Sequence, residues 1–239
     1  MSEEYFVRPL SPMRKVIAAR MSEAKRTIPH FRLMAEIEVD ALMARRAELN
    51  QSCPSGGLSV NDLLIKACAQ ALMEVPEVNV QWADNELHQF VSADISVVIA
   101  VEGGLAIPVV RKAEGKSVWQ ISAEVKALAG RAARNELKMR EVLGGSFSIS
   151  NLGMYGVDEF DAVINPPQCA ILAVGAARSR CVVSGDLKPR VATVMRATLS
   201  ADHRAIDGVV GARFLAALKG RIETPLQVGA APVEHECNA

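Results

Sequence analysis

The stretch Asp202-His203-Arg204-Ala205-Ile206-Asp207-Gly208 lies between two regular patterns near the end of this chain. A strand-like apolar run at 191–199 precedes it, and a helical stripe of Val210, Phe214, Leu218 and Ile222 follows it. A histidine held between ordered elements, with an acid four residues on, indicates a positioned general base. On spacing alone, the more common interpretation is a partly buried polar histidine, with Asp207 as an ordinary helix N-cap.

Composition limits the classes of function. The chain has 239 residues, half of them hydrophobic, which suits one large domain or two small ones. Lys plus Arg and Asp plus Glu balance at 27 each, so no basic excess favours nucleic acid and no charged tail favours a membrane surface. No apolar run approaches the roughly 18 residues that span a bilayer. The acidic start, Met1-Ser2-Glu3-Glu4, is unlike a signal peptide.

The cysteines indicate a reducing compartment. They are scattered and odd in number, at positions 53, 68, 169, 181 and 237. No CxxC pair and no Cys/His cluster has the spacing of metal ligands, so the sequence predicts neither a metal nor a disulfide. We therefore expect a cytoplasmic protein without a metal cofactor.

Helical and strand periodicities alternate along the whole chain. Ser11-Pro12 predicts a helix start and Pro29 its end, and Ser59 with Asp62 resembles a capping box. Further helices are predicted at about 41–49, 117–128 and 208–222, and strands at about 31–39, 94–101, 105–110, 146–150, 169–174 and 191–199. With neither a repeat nor a linker, this pattern predicts one α/β domain with a mixed sheet.

Three of these segments have special features. Residues 94–101 are nearly all apolar and β-branched, which predicts a strand buried on both faces. Pro108 places the returning strand near a sheet edge. Residues 151–168 form a long Gly/Pro/Asn-bearing connection, and long ordered loops often have a function.

Four blocks of the sequence occur in the order and at the spacing of a known family. They are Met13-Arg14-Lys15-Val16-Ile17-Ala18-Ala19-Arg20-Met21 with Ile28-Pro29-His30-Phe31; Gly103-Gly104-Leu105-Ala106-Ile107-Pro108-Val109-Val110-Arg111; Gly145-Ser146-Phe147-Ser148-Ile149-Ser150-Asn151-Leu152-Gly153-Met154 with Asn165-Pro166-Pro167-Gln168; and the stretch quoted first. Over residues 8–226 the chain resembles the catalytic domain of the dihydrolipoamide acyltransferases, the core subunits of 2-oxoacid dehydrogenase complexes. Their distant relative, chloramphenicol acetyltransferase, has a second histidine where this chain has Asp202.

The resemblance implies an α/β two-layer sandwich with a mixed β-sheet, like that of chloramphenicol acetyltransferase, assembled as a homotrimer. The active site would lie between subunits, and coenzyme A and the lipoyl group would enter a channel from opposite ends. His203 matches the catalytic histidine. Ser150 matches the hydroxyl residue that steadies the tetrahedral intermediate, supplied by the neighbouring subunit. Asp207 matches an acid that pairs with an arginine, which by register is Arg14.

The implied reaction moves an acyl group between the dihydrolipoyl thiol and coenzyme A. Only about a few per cent of a free thiol is ionised at neutral pH, so a neutral imidazole that accepts the proton helps the sulfur to attack. A hydroxyl fixed at the developing oxyanion is worth about 3 kcal/mol. Ser146, Ser148 and Ser150 alternate along one strand, and only the resemblance distinguishes Ser150 from the other two.

Complete members of the family have an N-terminal lipoyl domain and a peripheral-subunit-binding domain, and neither is found in these residues. We therefore expect the lipoyl group on a separate domain or protein, with the other 2-oxoacid dehydrogenase subunits as partners. The expected layout is an N-terminal arm at 1–11, the catalytic domain at 12–228 and a frayed tail at 229–239. A trimer is expected, and assembly beyond it stays open because the tail departs from the family's leucine-rich end.

Residues 150–156 look more like the pyruvate-complex members than the 2-oxoglutarate ones, which favours acetyl as the acyl group. Two alternatives remain at this stage. One is a non-catalytic trimeric scaffold, and the other is a coenzyme A-dependent acetyltransferase with a different small acceptor. The presence of His203, Ser150 and Asp207 together favours the lipoamide enzyme.

Overall fold

Helices and strands alternate through the chain as the periodicities predict. The computed structural model describes residues 5–52, 57–102, 104–183, 185 and 187–225. Within these ranges the helices are α1 (Pro12–Thr27), α2 (Asp40–Ser52), α3 (Val60–Glu74), α4 (Val118–Ala133), α5 (Met139–Val142) and α6 (Gly208–Glu223). The strands are β1 (His30–Glu38), β2 (Val80–Ala83), β3 (Glu86–Gln89), β4 (Ile95–Val97), β5 (Ile99–Val101), β6 (Gly104–Ala106), β7 (Val109–Val110), β8 (Phe147–Asn151), β9 (Ala170–Val174), β10 (Arg178–Val183) and β11 (Pro189–Asp202).

One mixed sheet organises the molecule. Its strand order is β1-β11-β9-β8-β4-β7, and β10 pairs with β11 outside this order. Strand β8 runs parallel to β4 and β9, and the other pairs of the sheet are antiparallel. Strands β2 and β3 form a separate hairpin, as do β5 and β6. The sequence-based prediction of a mixed sheet is confirmed.

The sheet has one apolar and one polar face, because side chains alternate along each strand. Ile95, Ile149, Leu172 and Leu199 lie on the apolar face, in a core shared with α2, α3, α4 and α6. The rings of Phe147 in β8 and Phe214 in α6 lie 5.3 Å apart within it. The alternate positions place a row of buried polar side chains on the opposite face, namely Ser96, Ser148, Ser150, Thr198, Ser200 and Asp202. The sheet and the helices α2, α3, α4 and α6 on its apolar face form the expected two layers, while Ala24 of α1 packs with Ile171 on the opposite face.

Local signals set several element ends where the sequence predicts them. The Ser11 hydroxyl accepts a hydrogen bond from the Arg14 backbone N–H at 3.2 Å, and Pro12 occupies the first turn of α1. Ser59 and Asp62 form the predicted capping box at the start of α3. Residues 5–11 precede α1 without helix or strand, whereas the predicted tail at 229–239 lies outside the described residues.

The prediction of one strand at 94–101, buried on both faces, is wrong. Strand β4 belongs to the main sheet, but after Val98 the chain leaves it and β5 pairs with β6 in a partly exposed hairpin. The return is divided in the same way, into β6 and β7, on either side of Ile107 and Pro108. Proline has no N–H to donate to a ladder, which explains the break. Strand β7 lies at the edge of the sheet, as Pro108 predicts.

Four elements have no counterpart among the predictions: β2, β3, β10 and the short α5. His88 lies in β3. The signal for this hairpin was present in Asp84-Asn85, whose φ angles of 48° and 65° suit a tight two-residue turn. No helix in the described ranges combines the length and the apolar character that crossing a bilayer requires.

Candidate active site

His203 lies on an exposed turn directly after β11. Its backbone N–H donates to the Pro29 carbonyl at 3.1 Å, which ties the turn to the segment between α1 and β1. Its ring lies 4.4 Å from the Phe31 ring, centroid to centroid, at an interplanar angle of 45°. Among the described residues, none hydrogen-bonds to its ring nitrogens. The imidazole is thus oriented by its backbone and by Phe31, with both nitrogens open to a reacting group.

Asp202 is the acid nearest to this turn, and it is only 1% exposed. One carboxylate oxygen accepts the Arg204 backbone N–H at 3.0 Å, and the Arg204 guanidinium donates to both oxygens at 2.7–3.2 Å. The hydrogen bond with Asp202 raises the pKa of Arg204. The carbonyl of Asp202 also accepts the N–H groups of Ala205 and Ile206. The sequence analysis did not assign Asp202 or Arg204 a role.

Asp207 caps α6 and does not pair with Arg14 within the chain. One of its carboxylate oxygens accepts the Val210 backbone N–H at 2.8 Å, which is the usual N-cap geometry. Both Asp207 and Arg14 are exposed, and no ion pair or hydrogen bond joins them in the described part of the chain. Within one chain the expected pair is therefore not formed, and one oxygen of the carboxylate caps its own helix.

Ser150 lies in β8 on the polar face of the sheet and is 8% exposed. No described residue hydrogen-bonds to its hydroxyl. Its hydroxyl is not one of the fully buried, unpartnered side-chain atoms of the described residues, so it keeps access to the surface. Ser150 is thus free to donate to another group.

The structure does not bring Ser150 and His203 together within one chain. Through the strand pairing, Ser150 is level with Ala173 and then with Thr198. His203 lies five residues beyond Thr198, so about 16 Å along the strands and about 10 Å across them separate the two residues. One thioester cannot touch both side chains over such a distance. A site containing both residues needs two copies of the chain.

A hydrogen-bonded network lies beside Ser150 on the polar face. The Ser148 hydroxyl donates to the Gln168 side-chain carbonyl, and the Gln168 amide donates to the Ser96 hydroxyl at 2.9 Å. Gly145 is confined by this network, because a Cβ there would lie 2.0 Å from the Ser96 hydroxyl. Ser148 is therefore a paired, structural serine, in contrast to Ser150.

A cleft with a volume of about 870 Å³ and a mainly apolar lining lies on the described part of the chain. It is formed by α1, the β5–β6 hairpin, the segment around α5 and the end of the 151–168 connection. Three of the four sequence blocks line it, through residues such as Ile17, Leu105 and Gln168. His203 and Ser150 lie outside its lining.

His30 has a structural role between two segments of the chain. Its Nε2 accepts the Ile164 backbone N–H at 3.1 Å, which places the ring proton on Nδ1, 2.9 Å from the Ile28 carbonyl. It thus joins the start of β1 to the 151–168 connection. Cys169 is buried, and burial followed by the charge of Asp202 raises the pKa of its thiol to about 12. In the described part of the chain, no group of three His, Cys, Asp or Glu residues is arranged to hold a metal ion.

The family model of the 2-oxoacid dehydrogenases acyltransferase (catalytic domain) matches residues 2–230. The chain is 47% identical over 226 residues to the dihydrolipoyllysine-residue acetyltransferase component of the pyruvate dehydrogenase complex of Rickettsia bellii. This match covers 93% of the chain and 54% of the relative, so the chain spans about half the length of the curated relatives that it matches.

Solved structures of dihydrolipoamide acetyltransferases are similar to this chain. A probable dihydrolipoamide acetyltransferase of Listeria monocytogenes has a TM-score of 0.88 at 31% identity, over 97% of this chain and 99% of that one. The cubic core of a pyruvate dehydrogenase multienzyme complex gives 0.90 at 28%, over 95% of both chains. Chloramphenicol acetyltransferase shares the fold alone, with a TM-score of 0.53 at 15% identity, over 86% of this chain and 92% of that chain. The chain belongs to the acyltransferase family of the 2-oxoacid dehydrogenases and contains its catalytic domain.

Proposed function

We propose that this chain transfers an acetyl group between a dihydrolipoyl thiol and coenzyme A, in the core of a pyruvate dehydrogenase complex. The observation that best supports it is the His203 imidazole, exposed on a rigid turn with both ring nitrogens open. The identity to acetyltransferase components of pyruvate dehydrogenase complexes favours acetyl and this complex. A scaffold would have no need of an oriented, unpaired imidazole.

In the proposed reaction the acetyl group arrives as a thioester of the lipoyl group. His203 accepts the proton of the coenzyme A thiol as the sulfur forms a bond to the carbonyl carbon, and the carbonyl oxygen becomes an oxyanion. The bond between that carbon and the lipoyl sulfur then breaks. The departing thiolate takes the proton from the His203 imidazolium, which restores the neutral ring. Acetyl coenzyme A and dihydrolipoyl are the products.

We infer that Ser150 of a neighbouring copy donates its hydroxyl to the oxyanion. Its lack of a partner supports this role, and so does its distance from His203 in the same chain. A fixed donor in such a position contributes about 3 kcal/mol to the stabilisation of a transition state. Asp207 would act indirectly, by fixing the start of α6 next to the His203 turn. Arg14 lies exposed on α1, where it could face a neighbouring copy.

The proposal includes a homotrimer with a lipoyl-bearing protein and the other subunits of the complex as partners. The structural similarity to a cubic core supports such an assembly. We also propose a cytoplasmic location. It is supported by Cys68, Cys169 and Cys181, which are all free cysteines, as expected in a reducing compartment.

The test of the activity is acetyl transfer from acetyl coenzyme A to dihydrolipoamide at pH 7, with the wild-type chain and His203→Ala. We expect transfer by the wild type and a loss of about 10²–10⁴-fold in the variant, the usual contribution of a general base. Succinyl and isobutyryl coenzyme A serve as competing donors. A folded wild-type chain without transfer from any of the three donors would contradict the proposal.

The shared site is tested by mixing two inactive variants. We expect His203→Ala and Ser150→Ala, coexpressed in equal amounts, to recover about a quarter of the wild-type sites, since one trimer site takes its histidine and serine from different chains. The separately purified variants, mixed without subunit exchange, are the control. Recovery no greater than the sum of the two variants would show that one chain supplies both residues.

A further inference from the structure

The geometry of His203 depends on the buried carboxylate that precedes it. Its backbone is held on both sides, because its own N–H donates to Pro29 and the next N–H, that of Arg204, donates to the Asp202 carboxylate. The side chain of Asp202 therefore closes a turn over the peptide group of His203. Movement of this carboxylate would rotate the imidazole.

Asp202 requires a cationic partner to stay in this place. Its carboxylate is almost completely buried, and an isolated buried charge is strongly disfavoured. Within the described ranges, Arg204 is the cation that supplies the compensation, through its Nε and one terminal nitrogen. The planar guanidinium matches the two carboxylate oxygens, which a lysine could not do.

Arg204 is in turn positioned by an aromatic ring. Its guanidinium carbon lies 4.5 Å from the centroid of the Trp82 ring, a cation–π contact. Trp82 belongs to β2, whose backbone is fixed to the segment before β9. The backbone N–H of Trp82 donates to the Pro167 carbonyl at 3.0 Å, and the backbone N–H of Cys169 donates to the Val80 carbonyl at 3.2 Å. The ring is thus presented by a hairpin attached to the sheet.

We propose that Trp82 is a positioning residue, which acts through Arg204 and Asp202 to hold the His203 imidazole in its reactive orientation. This inference rests on the proposed function and adds to it a residue 121 positions away in sequence. Trp82 touches the guanidinium and not the imidazole, so its effect is on orientation. The β2–β3 hairpin is then a support for the catalytic turn.

The first test compares Trp82→Leu with Trp82→Phe. We expect Trp82→Leu to lower kcat about ten-fold or more, since small displacements of reacting groups are costly, while KM for both substrates changes less than about two-fold. Phenylalanine keeps an aromatic face for the guanidinium, so Trp82→Phe should restore most of kcat. Arg221→Met is the control, because it breaks the 2.9 Å pair with Glu74 near the far end of α6.

The second test places Trp82→Leu in the His203→Ala background. If Trp82 acts through His203, the residual rate should fall less than about two-fold further, because effects within one unit are not additive. An equal fall in both backgrounds would overturn the proposal. So would a raised KM for coenzyme A at constant kcat, which would instead mean that Arg204 binds this substrate.

A third readout is independent of activity. The NMR signals of the His203 imidazole, assigned by their absence in His203→Ala, should be single and narrow in the wild type and shifted or broadened in Trp82→Leu. Unchanged signals would overturn the positioning role. A wild-type chain without acetyl transfer would instead contradict the proposed function, whereas an active wild type with unaffected Trp82→Leu would contradict this inference alone.

Discussion

At the scale of the residue, two roles can be distinguished for the Asp207 carboxylate, a helix cap and a charge pair. In the chain it accepts the Val210 N–H and so caps α6. The family resemblance instead implies that it pairs with Arg14, whereas spacing alone favours the cap. A cap is a local interaction, formed as soon as the helix begins, and it needs no partner from another element.

The two roles predict different responses to substitution. As a cap alone, Asp207→Ala should lower the free energy of unfolding by about 1 kcal/mol, and Asp207→Asn should leave it nearly unchanged, because asparagine caps as well as aspartate. Urea denaturation measures both. A loss of about 3–5 kcal/mol in both variants would instead indicate that the assembled protein buries a charge pair here.

At the scale of the element, the end of β9 is closely packed against the 151–168 connection. Gly175 follows β9, donates its N–H to the Arg196 carbonyl at 2.9 Å and lies against the 151–168 connection. A Cβ at this position would lie 2.0 Å from the backbone carbonyl oxygen of Asp158. Because this neighbour is backbone and not the end of a flexible side chain, it cannot move aside by a change of rotamer.

We therefore expect Gly175→Ala to destabilise the chain by about 1–3 kcal/mol or more, the usual cost of overpacking. Gly220→Ala is the matched control within α6, where a Cβ would meet nothing within 4 Å. It should stabilise the chain by up to about 1 kcal/mol, because alanine is the better helix former. Equal midpoints of urea unfolding for the two variants would contradict this account of the packing.

At the scale of the whole molecule, carboxylates that join distant elements make the fold sensitive to acid. Asp40, at the start of α2, accepts the Thr193 N–H of β11 at 2.8 Å, and hydrogen bonds with Thr193 lower its pKa below the ordinary 3.8. Asp158 accepts a hydrogen bond from the Arg178 side chain, which lowers the pKa of Asp158 in the same way. The pKa values of these carboxylates are lower in the folded than in the unfolded chain. The stabilisation is therefore complete at a pH above the unfolded pKa values and is lost as the pH falls through the folded pKa values.

The free energy of unfolding should therefore be nearly constant above about pH 5 and fall below about pH 4. Asp40→Asn should make the fall less steep, whereas Asp84→Asn on the exposed β2–β3 turn should not. Thermal unfolding between pH 3 and pH 7 gives both slopes. Parallel curves for Asp40→Asn and the wild type would show that the contact with Thr193 is not formed in solution.

Local chemistry in the sequence was enough to predict several helix ends and the place of His203. Ser11-Pro12, Pro29 and the Ser59–Asp62 box act on backbone groups within one helical turn, and the apolar periodicity of α6 requires no knowledge of its partners. The sequence also predicted a histidine between a strand and a helix, since both neighbours have clear periods. The role of Ser150 came only from the family resemblance.

The tertiary structure alone decided which strands pair, and with that the chemistry of the site. It divided residues 94–101 between two sheets, placed Ser150 level with Thr198 and brought Trp82 against Arg204. Strand register and cation–π contacts join residues far apart in sequence, whose preference for one another leaves no periodic signal in either segment. The separation of His203 from Ser150 is of this kind, because it is set by the pairing of three strands.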